Sequence, residues 1–292
     1  MTNNSAYTCS ESTSLAMDSP PNESLPLFVY GAFKPNMPAF EQLRPLVESQ
    51  LQRDQVKGKL YVRDGLPLLN GTEFGTVHGF VLRWLPKKEN YGYKVVCEFE
   101  PRSHYRWSEV TLESGTLANT LVIRFPTKGN PHYIEACSWS LSDDPAFGEG
   151  LKTVRLVLEE MNHISDTWQK FFRSQMAYLL LWSILERLSA LCFGPGQDPM
   201  KRIKRLHELP EMVNLVRQNV KRTDNVSDSR NPDKAYKLDR TSAKECFEYY
   251  YQIRSNLSHR GKGVVNEFEK VHESLKELLA ITEQYLGKLT DQ

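Results

Sequence analysis

The stretch LPLFVYGAFKP, residues 25–35, decides the first half of the fold. Its apolar and aromatic run ends at Gly31, which is typical of a buried strand that enters a turn. A turn of this kind presents consecutive backbone N–H groups, which can hold a carboxylate or a developing oxyanion. The sequence therefore predicts a strand followed by an anion-accepting turn at Tyr30 and Gly31.

Residues 25–145 around this stretch have a mostly β pattern, with one short helix expected at residues 37–49. The strand-like segments are separated by Gly, Pro, Asn and Asp turn signals. They are KGKLYVR (57–63), GTVHGFVLRWL (75–85), YGYKVVCEFE (91–100), SEVTL (108–112) and TLVIRFP (120–126). Closely spaced strands with one short helix favour a small mixed, barrel-like sheet over parallel βαβ repeats.

Residues 151–292 have apolar side chains at three- and four-residue spacing, which predicts an all-α bundle. The expected helical segments are 151–163, 167–191, 201–222 with a break at Pro210, 241–259 and 264–289, and residues 224–234 are expected to be a polar loop. The first 24 residues are rich in Ser, Thr, Asn and Pro, which predicts a flexible lead. The expected fold class is therefore α+β, with a lead at 1–24, a β-rich domain at 25–145 and a helical domain at 151–292.

The composition excludes a strongly acidic or strongly basic protein. Lys plus Arg is 37 and Asp plus Glu is 36, so the formal net charge is +1. Residues 151–292 alone hold 23 basic and 19 acidic residues, a net charge of +4. Such a surface fits contact with a polyanion, and an ordinary solvated helix surface has the same composition.

The cysteines indicate a reducing compartment, and neither the cysteines nor the histidines indicate a metal site. Five widely spaced cysteines without a Cys-x-x-Cys pair indicate neither a disulfide framework nor a zinc site. The histidines lack the spacing of metal ligands, and we expect no metal and no cofactor. The longest apolar run, residues 176–185, is shorter than a bilayer requires. We therefore expect a cytoplasmic protein that does not contact a membrane.

The stretch YYYQIRSNLSHRGKG, residues 249–263, is the most informative part of the second half. Arg254, Asn256 and His259 are polar, although they follow directly after an aromatic segment whose side chains should face a core. On an ideal helix, residues five apart lie about 140° apart, so one chain cannot easily converge Arg254 and His259 on one atom. Two such helices packed about a twofold axis can do so.

This Arg-x4-His pattern before a Gly-Lys turn, with AYLLLWSILERLSAL (177–191) upstream, resembles the HEPN superfamily of helical ribonucleases, and most closely its ApeA-like branch. The resemblance implies a homodimer that cleaves RNA without metal. It implies that His259 is the acid or base for attack by the 2′-hydroxyl and that Arg254 stabilises the phosphoryl oxygens. Asn256 is a third candidate. Glu186 either orients Arg254 across the bundle or is a plain surface carboxylate.

Basic residues of the second half are candidates for RNA contact through phosphates. They are Lys201, Arg202, Lys204 and Arg205 in the basic helix, and Arg260 and Lys262 beside the candidate catalytic pair. A solvated helix face is the alternative for the first four.

The opening LFVYGAFKP, with KGKLYVRDGLPLL, GTVHGFVL and CEFEPRSHYRWSEVTL downstream, resembles the γ-glutamylcyclotransferase-like fold. The resemblance implies that Glu100, rather than its neighbour Glu98, is the catalytic base. It also implies a ligand pocket formed by Tyr30, Gly31, Ala32, Phe33 and Tyr105. Two departures from the family's pattern affect this pocket: Ala32-Phe33 replaces Thr-Leu, and a charged insert occupies residues 85–94.

The leading hypothesis is a metal-independent endoribonuclease that acts as a homodimer, with a cyclotransferase-like domain that senses, modifies or restrains. The resemblance suggests a toxin or anti-phage defence effector. The first alternative is a γ-glutamyl cyclotransferase, acting on a γ-glutamyl small molecule, whose helical domain dimerises it. The second alternative is a non-catalytic RNA-binding protein.

Overall fold

The computed structural model describes residues 17–125, 131–196, 198–260 and 268–290, without the side chains of residues 259, 260 and 290. Across these residues the chain is α+β, as the sequence predicts. The first half contains β1 (Leu27–Val29), α1 (Phe40–Leu43), β2 (Gln52–Lys57), β3 (Lys59–Arg63), β4 (Leu66–Asn70), β5 (Thr76–Leu82), α2 (Glu89–Phe99), β6 (Tyr105–Thr111), β7 (Leu117–Ile123) and β8 (His132–Tyr133).

The main sheet has five strands in the order β2-β5-β1-β7-β6. Strand β1 lies at its centre, antiparallel to β5 and parallel to β7, and all three of its residues are buried. A second sheet has the order β4-β3-β8. In the described residues the main sheet is open, with β2 and β6 at its edges, and it is not a closed barrel.

The sequence predicts a strand at residues 91–100, and this prediction is wrong, because α2 occupies residues 89–99. Its buried side chains recur at helical spacing, including Tyr93, Val96 and Cys97. Gly92 lets the helix approach the indole of Trp84, since a Cβ on Gly92 would lie 2.2 Å from Trp84 Cζ3. The helix ends at Phe99, and Glu100 follows in an extended conformation.

The second half contains mainly helices, but the expected all-α bundle is corrected by a β-hairpin. Its elements are α3 (Leu151–Met161), α4 (Thr167–Phe193), α5 (Pro199–Arg205), α6 (Pro210–Asn219), β9 (Asp224–Asp228), β10 (Asn231–Leu238), α7 (Ala243–Arg260) and α8 (Phe268–Thr290). Strands β9 and β10 pair antiparallel where the sequence predicts a polar loop. Val226 of β9 is 2% exposed, so the hairpin is anchored in the core.

Helix α4 begins at an N-cap in which the Asp166 side chain accepts a hydrogen bond from the Gln169 N–H, and it ends at Gly194. It is long and apolar enough to cross a membrane, but 56% of its most apolar window is buried inside the described chain. Such burial is the property of a core helix in a soluble protein.

Several contacts join the two halves, whose buried apolar residues form a continuous core. The Gln42 side chain donates a hydrogen bond to the Cys192 carbonyl at 3.1 Å. Residues 17–24, assigned by the sequence to the flexible lead, also pack on the first half. Met17 is buried, and the Trp107 indole donates to the Asp18 carbonyl at 2.8 Å.

Substitution of Gly92 tests the close packing of α2. In a helix interior, Gly to Ala normally raises stability by about 0.5–1 kcal/mol. At Gly92 the added methyl meets Trp84, and we expect Gly92→Ala to lower the free energy of unfolding by about 1–3 kcal/mol. Gly287→Ala in α8 is the matched control, because a Cβ there meets nothing within 4 Å. Urea unfolding measures both, and equal stabilisation by the two substitutions would contradict the packing.

Candidate active site

One pocket at the end of β1 brings together all of the site residues that the sequence predicts for the first half. Tyr30 to Phe33 come from the turn after β1, Glu100 from the end of α2 and Tyr105 from the start of β6. Apolar side chains that no sequence signal singles out complete the wall: Leu27, Phe28, Val29, Pro67, Val96 and Leu121. The charged insert 85–94 contributes none of the lining residues, whereas the departure at Ala32-Phe33 lies in the wall.

The pocket is narrow. It encloses about 340 Å³ free of protein atoms, its mouth included, but only about 30 Å³ is open to the centre of a water-sized atom. This space holds a water molecule or a small polar group. A larger ligand therefore requires the walls to separate.

The turn after β1 contributes Gly31, Ala32 and Phe33 to the lining of this pocket. Within the described residues, the backbone N–H groups of Gly31, Ala32 and Phe33 donate to no other protein group. The turn is fixed by the Lys34 N–H, which donates to the Gly31 carbonyl at 3.0 Å. The anion-accepting role that the sequence predicts for this turn stays a prediction.

Two buried tyrosines of the pocket lining are hydrogen-bonded to the backbone of β4 and β7. The Tyr30 hydroxyl donates to the Leu121 carbonyl at 2.7 Å and accepts from the Leu69 N–H at 3.2 Å. The Tyr105 hydroxyl donates to the Pro67 carbonyl at 2.7 Å. Burial raises the pKa of both phenols well above the usual value, so both are protonated at neutral pH. Their hydroxyls therefore act as structural ties to β4 and β7.

The Glu100 carboxyl is the acidic group of the pocket. Glu100 is half-buried, and the protein around its carboxyl group removes part of its hydration. Loss of hydration raises the pKa of Glu100 from 4.5 to about 7, and the positive charge of Arg187 opposes this shift. A carboxyl with a pKa near 7 can both take and return a proton at neutral pH.

Arg187 belongs to α4 and reaches the first half of the chain from there. Its Nε donates to the Asp144 carboxylate at 2.7 Å, and its guanidinium donates to the Asp64 carbonyl at 3.1 Å. Gly65 lies directly against this contact, because a Cβ on it would lie 2.3 Å from an Asp144 carboxylate oxygen. The sequence gives no sign of this contact, since Arg187 and Asp144 are far apart in the chain.

The candidate ribonuclease residues lie near the end of α7. Arg254 forms an ion pair with Glu186 of α4 at 3.7 Å, and an orienting role for Glu186 stays a prediction. Arg254 is 29% and Glu186 36% exposed, so the pair is open to solvent. His259 lies in the last turn of α7, but the side chains of His259 and Arg260 are outside the described structure. Lys262 also lies outside the described residues.

Asn256 is buried, and its amide is occupied by the β9–β10 hairpin. Its oxygen accepts hydrogen bonds from the Ser229 N–H at 3.1 Å and the Gln252 side chain at 2.8 Å. Its nitrogen donates to the Ser227 carbonyl at 2.9 Å. Asn256 therefore holds the hairpin on α7, and a catalytic role for it stays a prediction.

The basic cluster of α5 is not a single exposed face. Lys201 is exposed, whereas Arg202 is 7% exposed and donates to the Pro195 carbonyl. Lys204 lies over the Tyr251 ring, and Arg205 packs on Phe193 and pairs with a glutamate. Burial removes Arg202 from any exposed basic face, and phosphate contact by Lys201, Lys204 and Arg205 stays a prediction.

Comparison with known proteins identifies no family for this chain. No family model matches the chain, and no curated protein matches it. Among solved structures, it is similar to the uncharacterized protein PH0828 from Pyrococcus horikoshii, with a TM-score of 0.32 and 20% sequence identity. The match covers 39% of this chain and 89% of that chain. A TM-score this low does not establish a shared fold.

The raised pKa of Glu100 predicts a pH-dependent stability. Between about pH 4.5 and 7 the folded protein keeps a proton that the unfolded chain releases. The stabilisation is complete below pH 4.5 and is lost as the pH rises through 7. Relative to Glu100→Gln, we expect wild type to lose roughly 2 kcal/mol of unfolding free energy between pH 5 and pH 8.

Urea unfolding of the two proteins at both pH values measures this difference. Glu98→Gln is the matched control, since Glu98 is exposed, and it should follow wild type. Parallel pH curves for wild type and Glu100→Gln would contradict a buried, protonated carboxyl.

Proposed function

We propose that the Glu100 pocket is the active site of a γ-glutamyl cyclotransferase. The observation that carries the proposal is a half-buried carboxyl, whose pKa is raised to about 7, in a pocket that is also lined by the turn at residues 31–33. A general base and an anion-accepting turn are the two elements that intramolecular cyclisation requires. The resemblance of LFVYGAFKP and CEFEPRSHYR to the cyclotransferase-like family supports the same reaction.

The reaction assigns one role to each element. The Glu100 carboxylate takes a proton from the α-amine of a γ-glutamyl group, and the amine nitrogen attacks the γ-carbonyl carbon. The backbone N–H groups of residues 31–33 stabilise the oxyanion that develops. The bond from the γ-carbon to the leaving amine then breaks, Glu100 returns its proton to that amine, and 5-oxoproline is released.

The narrow pocket sets a condition on this reaction. The Tyr30 and Tyr105 hydroxyls donate hydrogen bonds to backbone carbonyls and so hold the wall in place. A γ-glutamyl head group is larger than the space of about 30 Å³ that the pocket leaves open. Substrate binding therefore has to widen the pocket, and we propose that the turn at residues 31–33 is the wall that moves. Small γ-glutamyl amines and dipeptides are the substrates that fit best.

Release of 5-oxoproline from a panel of γ-glutamyl amines and dipeptides tests the proposal with the full-length protein. Glu100→Gln keeps the shape of the side chain but cannot take the proton, so we expect its rate to fall about 100-fold or more. Glu98→Gln is the matched control and should retain wild-type activity. No turnover of any substrate by wild type, or full activity in Glu100→Gln, would contradict the assignment.

The second candidate function is a metal-independent endoribonuclease, and the contact between Arg254 and Glu186 favours it. A carboxylate that holds the guanidinium at the end of α7 leaves the remaining N–H donors for a phosphate. In this proposal His259 moves protons between the 2′-hydroxyl and the leaving 5′-oxygen. The 2′-oxygen attacks phosphorus and the 5′-oxygen leaves, which gives a 2′,3′-cyclic phosphate. The residues reach one phosphate from two copies of the chain.

This second proposal predicts cleavage of total RNA in EDTA, with 2′,3′-cyclic phosphate ends. Arg254→Ala and His259→Ala should each abolish cleavage, and Arg217→Ala, at an exposed arginine of α6, should not. Mixed dimers of the two inactive variants should regain activity if each copy gives one residue to a shared site. Cleavage that requires added Mg²⁺, or an active monomer of 33.7 kDa, would contradict it.

A further inference from the structure

A second, wider cavity begins directly after the turn at residues 31–33, and the proposed reaction does not use it. It encloses about 1100 Å³ free of protein atoms, its mouth included, and about 460 Å³ of this is open to the centre of a water-sized atom. Its lining comes from residues 34–37, from β2 and β5, from residues 138–140 and from Leu289 of α8. A space of this size accommodates a small metabolite.

The basic side chains of this cavity have no acidic partners. Among the described residues, Lys34, Arg53 and His78 line the cavity, and none of the three forms an ion pair. Asp54 also belongs to the lining, but neighbouring residues of a strand point to opposite faces, so its side chain lies on the other face of β2 from Arg53. Its carboxylate accepts a hydrogen bond from the Ser114 hydroxyl at 2.5 Å. The cavity therefore has an excess of positive charge.

The Lys34 ammonium is buried with neutral partners. Lys34 is 8% exposed, and its Nζ donates to the Ser138 hydroxyl at 3.0 Å and to the Trp139 carbonyl. Because an ammonium has three N–H donors, one is left for a ligand. Burial lowers the pKa of Lys34, and the charge of Asp143, whose carboxylate accepts from the Ser140 N–H at 2.7 Å, opposes this shift. A buried charge with neutral partners is costly, and an anion in the cavity would offset that cost.

Strand register brings the other two basic side chains to one face of the main sheet. Arg53 of β2 pairs with Phe80 of β5, and Gln55 pairs with His78. Arg53 and His78 are therefore diagonal neighbours, with Cβ atoms about 7–8 Å apart. The Arg53 guanidinium lies over the Phe80 ring at 5.6 Å. The His78 N–H donates to the Cys137 carbonyl at 2.7 Å, which holds the segment with the acceptors of Lys34 against β5.

We propose that this cavity binds a small molecule through a phosphate group. A phosphate monoester carries a charge of about −1.5 to −2 at pH 7 and three acceptor oxygens, so it can accept hydrogen bonds from several sides. Lys34 offers the remaining N–H of a compact charge, and Arg53 offers a planar fork of donors. The Ser138 hydroxyl accepts from Lys34 and still has its own proton to donate. A single carboxylate carries less charge and two coplanar oxygens, and it would use fewer of these donors.

This inference goes beyond the proposed function and does not depend on it. Glu100 and residues 31–33 do not line this cavity. Glu100→Gln should therefore bind phosphate with the affinity of wild type. Absence of 5-oxoproline formation contradicts the proposed function alone.

Calorimetric titration of the full-length protein with inorganic phosphate, at constant ionic strength, tests the proposal. We expect one site per chain with a Kd on the order of 1 mM or tighter. Arg53→Gln should weaken binding about 5-fold, and Lys34→Gln about 10-fold or more, because each removes a charge-assisted hydrogen bond. Lys57→Gln is the matched control, since Lys57 is an exposed cation of β2 outside the cavity, and it should bind phosphate as wild type does.

The same titration with succinate, a dianion with two carboxylates, separates phosphate recognition from general attraction of anions. Succinate should bind at least about 5-fold more weakly than phosphate. Equal affinity for the two would overturn the assignment of phosphate, and absence of saturable binding would overturn the site itself. If Lys34→Gln does not fold, Arg53→Gln and His78→Gln decide, because both positions are exposed. Wild-type affinity in both would place the anion elsewhere and overturn the proposal.

Discussion

The partial burial of the Glu100 carboxyl in the pocket at the end of β1 is the constraint that sets the chemistry of this site. Burial raises its pKa to about 7, and the charged form at neutral pH is therefore unfavourable. Helix α2 packs closely on Trp84 because residue 92 is a glycine. Glu100 follows the end of this helix in an extended conformation, which places it in the pocket. The same burial that lowers stability gives the carboxyl a proton affinity suited to acid–base chemistry at neutral pH.

Helix α4 contacts the first half of the chain as well as the other candidate site. Two consecutive residues of the helix point to different partners: Glu186 pairs with Arg254 of α7, and Arg187 contacts Asp144 and the Asp64 carbonyl. A shift of α4 along its axis would change both contacts at once. One helix therefore carries both contacts.

The sequence predicts the parts of the site that lie on or beside strands. Tyr30 to Phe33, Glu100 and Tyr105 meet in one pocket, because the run LFV forms a buried central strand and its turn follows directly. The sequence fails where tertiary packing outweighs local pattern. YGYKVVCEFE has β-forming side chains, yet Tyr93, Val96 and Cys97 are buried at helical spacing, and Gly92 lets this helix pack closely on Trp84. The hairpin at residues 224–238 depends on hydrogen bonds from Asn256, and the Arg187 contact spans 43 residues.

Infrared difference titration of the Glu100 carboxyl tests the buried, near-neutral acid most directly. The spectrum of wild type minus that of Glu100→Gln isolates the C=O stretch of the protonated group, and the same subtraction with Glu98→Gln controls for an exposed glutamate. The structure predicts that the protonated band disappears with a midpoint near pH 7. A midpoint near the ordinary glutamate value of about 4.3 would contradict it.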